Sequence, residues 1–249
     1  QITRNKNNLS FDSKINLKNN SLLIDFLNYE KKEGSSSLVS IKGNFKKNDK
    51  LRFDLINLKE KDYEILIKDL DLNKNFKIIN VKRIKINYKN DKKILNNLNL
   101  KKDNSNFILE GESFDASKLI NNIMESEDES LSIFENFNSK IKIRIKKIYI
   151  DEINYINDLY GNIVLKNNKI DNLKLESVFP NKKKINLSIK TNNNSETITK
   201  LFSDYPKPLI KRYNFVKGFE EGYLDFYSTK KQGVSNSVLI IDNFKVKEV

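Results

Sequence analysis

The chain has no cysteine, no histidine and no tryptophan in 249 residues, and only three prolines and seven glycines. Without cysteine neither a disulfide framework nor a thiolate metal site can form, and the redox compartment stays undetermined. Without histidine the commonest general base and the commonest transition-metal ligand are both missing, which lowers the expectation of an enzyme. Catalysis by carboxylates, Lys, Ser or Tyr alone stays open. Long apolar runs are absent too. The best is VLII at 238–241, far short of the ~18 residues a spanning helix needs, and the first residues carry no signal-like segment. The chain opens on Gln1, not Met, so it is expected to be a processed or excised piece of a longer protein, with any membrane anchor outside it.

The formal net charge is +13, yet only five of the 46 basic residues are arginine (Arg4, Arg52, Arg83, Arg144 and Arg212). Nucleic-acid readers show Arg clusters or aromatic stacking platforms, and neither is present, so no nucleic-acid partner is expected. The cations read instead as the solvated outer face of strands.

What the chain has in abundance is alternation. Residues 139–150 read SKIKIRIKKIYI: Ile141, Ile143 and Ile145 alternate with Lys142, Arg144 and Lys146, and after Lys146-Lys147 the alternation resumes one register later at Ile148 and Ile150. On a strand this makes one face aliphatic and the other cationic. Similar runs appear at 9–17, 22–29, 37–45, 50–58, 63–70, 76–89, 153–166, 169–179, 184–191, 222–228 and 237–249, with turns carried by Asn, Asp and Lys and one near Lys231-Gln232-Gly233. Regular spacing of such strands predicts an antiparallel meander and not βαβ units.

The regularity breaks twice. In GESFDASKLINNIM (111–124), Asp115 can cap a helix with Leu119, Ile120, Ile123 and Met124 on one side, ending in the acidic loop ESEDES at 125–130. In 195–219, Ser195 reads as an N-cap with Ile198, Leu201 and Phe202 on one helical face. Pro206 and Pro208 then force a second short helix carrying Leu209, Ile210 and Tyr213. Two such helices cover only part of a many-stranded sheet. The sheet therefore folds onto itself as a sandwich or barrel, or keeps an apolar groove open; periodicity alone leaves both.

Three passages carry a family resemblance. GESFDASKLI (111–120), SDYPKPLIKRYNFVKGFEEGYLDF (203–226) and LIIDNFKVKEV (239–249) resemble, in order and spacing, the AsmA-like C-terminal region of YhdP-type bacterial envelope proteins, relatives of TamB. Asp204 matches that region's Asp, Leu209-Ile210 its apolar pair and Glu221-Gly222 its Gly-Gly position. Pro206-Lys207 stands where the family has a Gly, and Glu221 replaces one Gly of the pair. The match covers roughly residues 105–249.

The resemblance implies a long, curved β-sheet with a hydrophobic groove, in a periplasmic protein anchored to the inner membrane of a Gram-negative bacterium. It further implies movement of phospholipid acyl chains toward the outer membrane, without catalysis or cofactor. The expectation is thus a mainly β fold, a long antiparallel groove-like sheet with two short amphipathic helices. Residues 1–110 are expected to form a strand meander and 111–249 the AsmA-like module, with helices near 115–125 and 195–213, in one continuous sheet. Ile141, Ile143, Ile145, Ile163 and Leu165 are the candidate groove lining, with Leu119, Ile120 and Ile123 as a helical cover. No catalytic, cofactor-binding or metal-binding residue is assigned. The partners expected are phospholipid acyl chains, a membrane reached through the anchor, and other envelope proteins. The main alternative is a closed β-sandwich that binds another envelope protein; a carboxylate enzyme acting on cell-wall glycans, using Asp151-Glu152 or Glu220-Glu221, is the weakest.

Overall fold

Alternating sequence becomes strand almost throughout. The computed structural model describes residues 2–5, 8–46, 50–120, 137–213 and 219–246. The first strands are β1 (Ile2–Asn5) and β2 (Asn8–Asn16). An insertion follows, containing β3 (Leu22–Ile24), a 3-10 turn at Asp25–Leu27 and β4 (Tyr29–Lys31). Then come β5 (Leu38–Lys46), β6 (Leu51–Glu60), β7 (Tyr63–Leu72), β8 (Ile78–Asn80), β9 (Arg83–Lys89), β10 (Leu95–Asp103) and β11 (Asn106–Asp115). The second half holds β12 (Ser139–Tyr149), β13 (Tyr155–Lys166), β14 (Lys169–Val178), β15 (Lys184–Thr191) and β16 (Thr197–Ser203). Helix α1 (Lys207–Tyr213) precedes β17 (Phe219–Lys231) and β18 (Val234–Val246).

Sixteen strands form one open sheet whose order follows the chain from β1 to β18; β8 hangs on β7, and β3 and β4 make a separate two-stranded sheet. Among the described residues this is the only second sheet, and it is too small to seal the first as a sandwich partner. The expected 110/111 division falls inside β11, within the continuous sheet.

Four expectations need correction. The meander is not wholly antiparallel: β11 and β12 run parallel, so residues 116–138 connect opposite ends of neighbouring strands. Parallel neighbours require such a crossover. The first break begins later than expected, because Gly111–Asp115 complete β11. The helix expected from Ser195 is strand β16. Its Thr197-Ile198-Thr199 run is β-branched, β15 and β17 pair with it on both sides, and Ser195 sits in the preceding turn at φ 57°. Finally, the long run 76–89 divides into β8 and β9.

Two other features stand as read. Helix α1 starts with Pro208 in its first turn and buries Ile210 against Leu224. The β17–β18 turn is Gln232-Gly233, both at positive φ (51° and 81°), the geometry a two-residue hairpin favours.

One end of the strands carries the covering elements. The insertion packs Leu22, Ile24, Leu27 and Tyr29 on the core. Tyr29 meets Tyr88 edge to face with ring centroids 5.0 Å apart, and the Tyr88 hydroxyl donates to the Leu27 carbonyl. Lys31 is fully buried with its ammonium donating to the carbonyls of Leu17, Lys18 and Asn20, which ties both ends of the insertion together. At the end of β11 the buried Asp115 carboxylate accepts from Asn90 Nδ2 (2.8 Å) and from the Ser117 N–H (3.0 Å), capping a helical turn at 117–120 as its sequence suggested. The opposite end of the strands has tight turns such as Asn167-Asn168, both at positive φ.

Candidate functional site: an apolar row across the strands

Residues that face each other in a sheet put their side chains on the same side. Following these partners from strand to strand yields one row. It runs through Ile41, Ile56, Ile67, Ile84, Leu100 and Leu109 on β5 to β11. It continues through Ile143, Gly161, Leu175, Leu187, Leu201, Phe226 and Leu239 on β12 to β18. Thirteen consecutive partners thus carry no polar side chain. At about 4.8 Å per strand the row is roughly 58 Å long.

The row one residue further along the strands lies on the other face. There Lys42, Lys68, Arg83, Lys101, Lys142, Lys174 and Lys200 fall in register with Leu55, Ile108, Asn162 and Ser188 between them. Lys42 pairs with Asp12 at 3.4 Å and Lys174 with Glu176 at 2.8 Å. These cations lie on the outer face of the sheet.

The slipped register at Lys146-Lys147 has a structural cause. The β10–β11 pairing shifts by one residue between Asn97 and Leu98, and the β13–β14 pairing shifts between Asn157 and Tyr160. β12 keeps one constant offset to both β11 and β13, so the three central strands carry the extra residue at one level. Each bulge changes the side on which later residues emerge. Burial follows it: Ile143 and Ile145 are buried before the doublet, Ile148 and Ile150 after it, and the lysines between are exposed or half-buried. Gly111 sits at the β11 bulge, where a Cβ would lie 2.2 Å from the Asn97 carbonyl oxygen.

The expected lining residues divide. Ile143 (6% exposed), Ile145 (5%) and Leu165 (4%) are core, while Ile141 and Ile163 are half-buried. Ile120 packs half-buried against the same core, and Leu119 is 40% exposed. Ile123 lies outside the described residues, as does the expected acidic loop 125–130. The half-buried members of the row on β14 to β17, Leu175, Leu187, Leu201 and Phe226, are not among the expected lining residues. Alternation marked most of their strands, but which residue faces which across strands is not written in any one strand. Leu201 was further obscured by the helical reading of 195–202.

Two tyrosine hydroxyls at the covered end are held in the protonated form. Burial, then the hydrogen bond to Glu60, pushes the Tyr29 hydroxyl well above its ordinary range. Burial, then the nearby Asp115 charge, does the same for Tyr88. The Lys85 ammonium at 3.1 Å holds the Glu64 carboxyl below the usual carboxylate range.

Neither acidic doublet forms a shared site. Asp151 accepts from the backbone N–H groups of Ile153 and Asn154, while Glu152 pairs with Lys92 at 2.8 Å. Glu220 lies 3.5 Å from Lys207, and Glu221 lies 2.9 Å from Lys245. Among the described residues no group of carboxylates is arranged to hold a metal ion, and no helix is long and apolar enough to cross a membrane.

No family model matches the chain, and no curated protein or solved structure matches it either.

Proposed function

We propose that this chain shelters phospholipid acyl chains along the apolar row, without catalysis, as a segment of a bridge between inner and outer membranes. The observation that carries the reading is the row itself. Thirteen apolar partners in register, most of them half-buried, with Ile143 buried among them and none facing a second large sheet among the described residues, offer apolar surface on both sides of the core with no fixed pocket. Hydrocarbon leaving water gains about 0.8 kcal/mol per methylene, so a dozen carbons gain on the order of 10 kcal/mol. The resemblance to AsmA-like envelope proteins supports the same role and a periplasmic setting.

The test is displacement of a fluorescent hexadecanoic acid, with native mass spectrometry for co-purified phospholipid. Leu187→Asp, in the row between Leu175 and Leu201, is expected to weaken binding at least tenfold, whereas Ser188→Asp on the outer face leaves it unchanged. Equal effects of the two substitutions in folded protein, or no bound phospholipid, would remove the proposal.

A second reading is an assembly module for another envelope protein. It is favoured by Val238 and Ile240, exposed apolar residues on the outer face of β18, in register with Tyr227 and Asp225. Under that reading Val238→Lys abolishes partner capture while fatty-acid binding is absent in the unmodified chain.

A further inference from the structure

We infer that β16 to β18 carry a headgroup subsite for a phosphodiester amphiphile, on the same face as the apolar row and beside it. This rests on the acyl-chain reading and adds to it where the polar end of the molecule sits.

The row adjacent to the long apolar one begins with Phe107, Ile141, Ile163, Leu173 and Ile189 on β11 to β15. On the next three strands its register partners are Thr199, Ser228 and Ser237. One row further out the partners are Thr197, Lys230 and Ser235. The face therefore changes from aliphatic to hydroxylated at β16, while Leu201, Phe226 and Leu239 beside it stay apolar. Rows on one face of a strand are two residues apart, roughly 7 Å. A tail on Leu201 and Phe226 thus lies one row from the hydroxyls.

The composition of the patch is unlike the polar positions elsewhere. On the outer-face row the polar positions are Lys, Arg and Asn with Ser188 the one hydroxyl; here five of the six positions hold short hydroxyls. Ser237 Oγ donates to Ser228 Oγ at 2.8 Å, so the hydroxyls are already aligned with one another. Thr197, Thr199, Ser228 and Lys230 are half-buried and Ser235 and Ser237 exposed, so a ligand can reach them. On the other side of the apolar row, α1 packs Ile210 against Leu224, with Leu201 and Phe226 in the same cluster. A tail is bounded by the helix on one flank and by hydrogen-bond donors on the other. Hydroxyl donors with one ammonium and no carboxylate among the six suit the unesterified oxygens of a phosphodiester.

The experiment compares two competitors with identical tails, dioleoyl-phosphatidylglycerol and dioleoylglycerol, in displacing fluorescent hexadecanoic acid. Phosphatidylglycerol is expected to compete about tenfold better, the difference that charge-assisted hydrogen bonds give. The double variant Thr199→Val with Ser228→Val, which keeps strand propensity, and separately Lys230→Gln, should each cut that preference to about threefold or less. Displacement by dioleoylglycerol should not change in either. Equal competition by the two lipids in the unmodified chain overturns the subsite and leaves the acyl-chain reading standing. A preference that survives both variants also overturns it, and competition by neither lipid removes both proposals.

Discussion

Ile143 on β12 faces Gly161 on β13, and this is the one step of the apolar row where a strand offers no side chain. Gly161 has φ 153°, and a Cβ built there would stand 1.9 Å from the Lys174 carbonyl oxygen of β14. The backbones of β13 and β14 approach too closely for anything but glycine, just where the row crosses and near the bulge at Asp158. Ile143 is buried over this gap.

Gly161→Ala is therefore expected to destabilise the fold by about 2 kcal/mol or more, since both the dihedral and the space are lost. Urea unfolding followed by far-UV circular dichroism reads it as a lower midpoint. An unchanged midpoint would mean that β13 and β14 are not this close.

Ile143→Asp and Lys142→Asp are neighbours on opposite faces. The first buries a carboxylate among Ile and Leu and should cost at least ~3 kcal/mol. The second changes an exposed position and should stay within about 0.5 kcal/mol. Similar losses from both, by thermal melting, would refute the two-faced assignment. Because Ile143 is core, its loss reports folding, and half-buried Leu187 is the better probe of binding.

Deleting Lys147 removes the extra residue that β12 carries while β11 and β13 keep theirs. Ile148 and Ile150 would then change sides and meet solvent, with the outer-face residues turned inward. The expected result is loss of cooperative unfolding, seen as a broad, shallow melt. Lys147→Ala preserves the count and should melt cooperatively, although it loses the ammonium that lies 4.3 Å from the Tyr155 ring centroid.

Alkaline stability depends on Tyr29 and Tyr88. Both hydroxyls are raised in the folded chain, so folding favours the protonated form. Their contribution is complete below the unfolded tyrosine value near 10 and declines as pH rises above it toward the folded values. Urea midpoints should fall progressively above about pH 10. In Tyr29→Phe, which lacks one of the two ionising groups, the fall should be shallower. A midpoint independent of pH in that range would show that neither ring is held as described.

Much of this architecture is written in local pattern. SKIKIRIKKIYI announces a two-faced strand whose alternation resumes one register later after Lys146-Lys147, because side-chain direction on a strand depends only on parity; that this is a bulge shared with β11 and β13 comes from the pairing. Asp115, Pro208 and Gln232-Gly233 announce a cap, a helix start and a hairpin, since each acts through backbone atoms within a few residues. Local pattern misjudged Thr197–Ser203, where Ile198, Leu201 and Phe202 also suit a helix face. The choice fell to β15 and β17, whose unpaired backbone groups β16 satisfies.

Ordering and register are of another kind. That β11 and β12 run parallel, that Leu109 meets Ile143 and Leu187 meets Leu201, and that Ile189 gives way to Thr199 on the same face, are relations between residues up to tens of positions apart. Hydrogen bonding between strands sets them, and no single strand encodes its neighbour's offset. Alternation was sufficient to say that an oily side exists. Only the assembled sheet aligned those sides into one row, since register belongs to the pairing of strands and not to any of them alone.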